Sequence, residues 1–122
     1  MTSIQAFVAG LIALGYEPVI LSDKPDRVIF DYIVETGKFA GRKVRVGFIV
    51  PGDFSATCPS GPHVSPHIHP IGQQGGHPTG AVHASDFGGD WQYWSRPFPE
   101  WANSKRTVAA YMSHIWRLWD SQ

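Results

Sequence analysis

From Pro51 to Arg96 the chain shows no hydrophobic period. Six of its ten prolines and eight of its thirteen glycines fall in that stretch. Proline removes a backbone donor and glycine weakens any regular element it interrupts, so no long helix or strand can run through. The regular elements must come from the two flanks. An unpatterned segment of this length inside a small domain is uncommon and is usually functional. Its middle, "CPSGPHVSPHIHPIGQQGGHPTGAVH" at residues 58–83, holds the only cysteine and five of the six histidines.

The N-terminal flank opens with Ile4, Phe7, Val8, Leu11 and Leu14 at three- and four-residue spacing, which predicts an amphipathic helix. Thr2 or Ser3 can cap it, and Gly15 suits the left-handed stop. A short apolar segment, Pro18–Leu21, and a turn at Ser22–Asp26 follow. Arg27–Glu35 reads as a strand with Val28, Phe30, Tyr32 and Val34 on one face. Thr36–Gly41 makes the hairpin connection. Arg42–Val50 is the clearest strand, with Val44, Val46, Phe48 and Val50 alternating against Lys43, Arg45, Gly47 and Ile49, the pattern of a sheet with one wet face. Within the unpatterned stretch no strand longer than Val64–His69 is expected. Beyond Trp101, the residues Val108, Tyr111, Ile115, Leu118 and Trp119 predict a second helix, with Asn103 or Ser104 as its cap. The sum is one α+β domain over residues 1–122, a meander of three to four antiparallel strands between terminal helices.

Composition narrows the function. With 43% apolar and 16% charged residues the chain is globular, and its length of 122 residues fits one modest core. Ten acids balance ten bases, which argues against a nucleic-acid partner and against a polybasic membrane patch. No apolar run approaches a bilayer span, and the start lacks a basic leader and cleavage site. A lone cysteine rules out an internal disulfide, so a cytoplasmic setting is expected.

Two chemistries suggest themselves from residue types alone. Cys58 beside histidines can become a thiolate nucleophile, or it can be a small buried apolar filler. His67-x-His69 puts two imidazoles on one strand face, and His63, His77 or His83 can add a third ligand for a divalent metal. No Cys-x-x-Cys pair or His-Glu-x-x-His helix accompanies them. The simpler alternative is a flap of His-Pro turns held by backbone hydrogen bonds. Trp91, Trp94 and Trp101 are either a recognition surface or, as we expect, core beneath the long loop.

The order of parts resembles a known family. "FIVPGDF" (48–54) is similar to the strand end, proline and aromatic of the ubiquitin-conjugating (UBC) superfamily. "SGPHV" (60–64) sits where that family has its proline pair and valine, and His69-Pro70 and His77-Pro78 are two His-Pro pairs of the type that follows. "PEWANSKRTVAAYMSHIWRLW" (99–119) is similar to the tryptophan and helix behind the active site, and "DWQYWSRPFPEW" (90–101) resembles a bacterial UBC-like branch, prokaryotic family E. The resemblance implies a ubiquitin carrier that takes the C-terminus of a ubiquitin-like protein from its activating enzyme and passes it to an amine, with no cofactor.

The family's cysteine is missing from its usual interval, since no cysteine lies between His77 and Trp101. Thr79 stands where the family has the asparagine that donates to an oxyanion, and either its hydroxyl or a backbone amide can replace that donor. The acyl carrier is then Cys58, or a serine of that interval, Ser85 or Ser95, with His83 near enough in sequence to serve Ser85 as base. The alternatives are an inactive UBC-like module that binds a ubiquitin-like protein, and a small histidine-based metalloprotein.

Overall fold

The computed structural model describes residues 2–66, 82–95 and 98–120, with the backbone alone for 82–84. It has two α-helices, α1 (Ser3–Ala13) and α2 (Val108–Asp120). Six strands run between them: β1 (Val19–Ile20), β2 (Arg27–Ile33), β3 (Lys43–Ile49), β4 (His63–Ser65), β5 (Val82–Ala84) and β6 (Gln92–Trp94). They form one sheet in the order β1-β2-β3-β4-β6-β5, and every pairing is antiparallel. The first four strands are a meander; the last two add a hairpin whose second strand lies against β4. The α+β expectation therefore holds, with two strands more than the meander predicted.

α1 begins where the sequence says it should. The Thr2 hydroxyl accepts from the Gln5 amide and the Gln5 side chain accepts from the Thr2 amide, a reciprocal cap. Gly15, at φ 94°, turns the chain out of the helix. Ser3, the other cap candidate, instead donates to the Gly52 carbonyl and ties the helix to the exit of the sheet. Leu14 leaves the buried stripe and lies at the surface.

α2 starts later than the cap residues expected for it. Trp101–Asn103 forms a short 3-10 turn, and Arg106, at φ 54°, redirects the chain. Thr107, neither Asn103 nor Ser104, caps α2 by accepting from the Ala110 amide. Ser104 holds the preceding turn by accepting from the Arg106 amide.

Both helices pack on the inner face of the sheet. Val28, Phe30, Tyr32, Val44, Val46, Phe48, Val64 and Trp94 point there and meet Phe7 and Leu11 of α1 and Tyr111, Ile115, Leu118 and Trp119 of α2. Trp94, Trp101 and Trp119 are core residues as expected, while Trp116, off the α2 stripe, stays 41% exposed. The helices approach each other closely at Gly10, where an added Cβ would lie 2.4 Å from Val108 Cγ2. Among the described residues, no helix is long and apolar enough to cross a membrane.

That contact yields a prediction. Alanine at Gly10 gains helix propensity of about 1 kcal/mol, but overpacking against Val108 costs about 1–3 kcal/mol. Gly10→Ala should therefore lower the denaturation midpoint, and adding Val108→Ala should recover part of the loss relative to Val108→Ala alone. Equal, additive effects in a double-mutant cycle would show that the two positions do not touch.

Candidate functional site

The outer face of the sheet was expected to be wet throughout. It is wet at Asp31, Lys43 and Arg45, but at Gly47 of β3 and His63 of β4 it is covered. Register explains how. Gly47 of β3 pairs with His63 of β4, which pairs with Tyr93 of β6, so the three residues form one row across the face. Gly47 leaves a hole in that row, and Phe87, from the β5–β6 turn, fills it. An added Cβ at Gly47 would sit 2.5 Å from the Phe87 ring.

His63 is consequently buried, at 5% exposure. Its ring lies between those of Phe87, centroids 4.3 Å apart, and Tyr93, 4.7 Å. Phe87 also meets Trp91 at 5.2 Å, and Arg45 lies over the Trp91 ring. The exit loop is tied to the same row by a 2.7 Å hydrogen bond between the hydroxyls of Ser60 and Tyr93.

The polar partner of His63 is Ser85, with Oγ 2.7 Å from Nδ1. The same Oγ accepts from the Phe87 amide at 2.9 Å. Ser85 donates in that bond when the neutral imidazole carries its proton on Nε2, and accepts when the proton is on Nδ1. Neutrality is enforced by surroundings: burial, and then the neighbouring Arg27 guanidinium, lower the His63 pKa from about 6.5 to about 4, with Asp86 offsetting them in part. Arg27 reaches Asp86 at 3.5 Å and Asp26 at 3.7 Å and lies over the Phe87 ring. Its Nε and Nη1 are buried without a hydrogen bond among the described residues.

Ser85 thus meets the imidazole of His63. The backbone of His83 pairs with Tyr93 in β5, and its side chain lies outside the described residues. Strand parity around Val64 was the available signal for His63; what the sequence lacked was the register that carries Ser85 to it. Arg27, Phe87 and Tyr93 escaped notice for the same reason.

Cys58 stands elsewhere, in the loop between β3 and β4. It is half-buried and packs against the inner core. Burial pushes its thiol pKa up, only partly offset by a backbone hydrogen bond, so the thiol form prevails at neutral pH. Ser95 directly follows β6 and is half-buried. His67, His69, His77 and Thr79 lie outside the described residues. Among the described residues, no three His, Cys, Asp or Glu side chains gather in a group that could hold a metal ion. No family model matches the chain, nor does any curated protein or solved structure.

The setting of Cys58 makes it a packing residue. Cys58→Ala should cost about 1 kcal/mol or less, read as a small shift in the denaturation midpoint, and the native thiol should react slowly with a maleimide at neutral pH. Rapid labelling of the folded protein would show instead that the thiol is activated.

Proposed function

We propose that the chain is a UBC-like domain of a bacterial ubiquitin-like conjugation pathway, and that Ser85 is its acyl acceptor. The family part of this reading is supported by order: a capped helix, an antiparallel meander, a proline-rich exit, and a tryptophan turn leading into a helix on the same face as the first. The chemical part is supported by one observation, the 2.7 Å hydrogen bond between Ser85 Oγ and His63 Nδ1.

On this reading Ser85 Oγ attacks the activated C-terminal carbonyl of a ubiquitin-like protein carried by its activating enzyme. The Oγ–C bond forms, the bond to the activating enzyme breaks, and the hydroxyl proton passes to His63 and on to the leaving group. An acceptor amine then displaces Ser85, and a proton returns to Oγ. A base with a pKa near 4 is ready to accept a proton at neutral pH, but its pull on that proton is weak. The transfer should accordingly be slow.

A second reading has its own support. The protonated, core-packed Cys58 offers no thioester carrier, which suits a module that holds a ubiquitin-like protein without a covalent step.

One incubation separates them. With the activating enzyme, nucleotide and ubiquitin-like partner, the carrier reading expects an adduct that resists thiols, is cleaved by hydroxylamine, and disappears in Ser85→Ala. A stoichiometric complex with no adduct on denaturing gels supports the binding module. A thiol-sensitive adduct lost in Cys58→Ala would return the role to the cysteine.

A further inference from the structure

We infer that the Ser85–Trp91 segment is an acid-released lid, held on the outer face of the sheet by a neutral His63 and freed when that imidazole takes a proton. The inference stands apart from the tagging reading and concerns the conformation of the segment alone.

Phe87 and Ser85 of this segment both meet the His63 ring, while Asp86 pairs with Arg27, Arg27 also lies over Phe87, and Arg45 lies over Trp91. Phe87 enters the hole left by Gly47 and lies against the His63 ring. Ser85 Oγ is hydrogen-bonded to His63 Nδ1 and accepts from the Phe87 amide, so one hydroxyl couples the imidazole to the turn. Trp91 is buried against Phe87 at the other end. Around them, Gly88, Gly89 and Asp90 are exposed and add no apolar anchor.

Protonation acts on all of this at once. Both ring nitrogens then donate, so the imidazolium offers Ser85 no acceptor and Nδ1 can only donate to Oγ. A cation also appears in a buried site. The charged and titratable groups on this side of the sheet among the described residues are Arg27 from β2, Arg45 from β3, which lies over Trp91, Asp86 beside Ser85, and the Tyr93 hydroxyl from β6. Arg27 repels the new charge, and Asp86, largely exposed and already paired with Arg27, compensates weakly. The closed lid therefore holds fewer protons than the open one. Its stability is present above about pH 6.5, the ordinary imidazole value, and is lost progressively as pH falls toward about 4. Opening exposes the row Gly47–His63–Tyr93 and parts Ser85 from the imidazole.

Backbone amide exchange of the full chain, corrected for the intrinsic effect of pH, tests this at about pH 7 and about pH 5. Protection in residues 85–91 should fall on the order of tenfold at the lower pH while that of β2, β3 and α2 holds. His63→Gln, which keeps an acceptor for Ser85 and cannot titrate, should abolish the difference. Unchanged protection at low pH, an equal loss in all elements, or the same acid loss in His63→Gln would overturn the lid. Should His63→Gln fail to fold, titration of the His63 ring by NMR replaces it. Phe87→Ala, which strips the cover, should then raise the His63 midpoint toward 6.5, and an unmoved midpoint would overturn the proposal equally.

Discussion

The inner face of the sheet depends on Phe7. From the middle of α1 its ring meets Phe48 of β3 at 5.5 Å, Phe54 of the exit loop at 5.1 Å and Tyr111 of α2 at 6.1 Å, each edge to face. One side chain thus touches both helices' layer, the central strand and the loop that leaves it. Edge-to-face pairs add about 0.5–1.5 kcal/mol each beyond area burial. The cluster extends through Trp101, whose indole donates to the Ser55 carbonyl and which packs on Phe54. The proline-rich exit is thereby fastened to the core at the point where it passes Cys58.

With that layer fixed, the outer face is free to carry polarity, and it divides in two. Toward β1 and β2 it is open, with Asp31 and Lys43 in water. Toward β4 and β6 it is sealed by the short turn between the last two strands. The chain therefore has a large aromatic core on one side of the sheet and a small mixed one on the other. The small core is the one that buries a histidine beside a guanidinium. A structural core of this size would be simpler without those groups, and their presence is what draws chemical interest to this side of the sheet.

The sequence revealed the parts whose neighbours are local. α1, with its Thr2 cap and Gly15 stop, and the β2–β3 hairpin both announce themselves through periodicity over several residues. The α2 stripe did so too, but its cap did not, because the left-handed Arg106 and the 3-10 turn displace the start by several residues. β5 and β6, three residues each, are too short to show a period; β6 is fixed by pairing with β4, and β5 by pairing with β6. The meeting of Ser85 with His63 follows from that pairing. Sequence proximity favoured His83, whereas a hairpin can bring together residues far apart in the chain. The α+β class was legible in the order of the large elements, and the outer-face cluster was not.

Gly47 has a consequence for how this chain can vary. Its missing side chain is the seat of Phe87, so the two positions share one volume. A larger residue at 47 is compatible with this architecture only when 87 shrinks, and an aromatic at 87 has nowhere to rest once 47 acquires bulk. Substitutions at these sites should travel as a couple, and a chain that broke the couple would have surrendered the small second core along with the shelter it gives the imidazole.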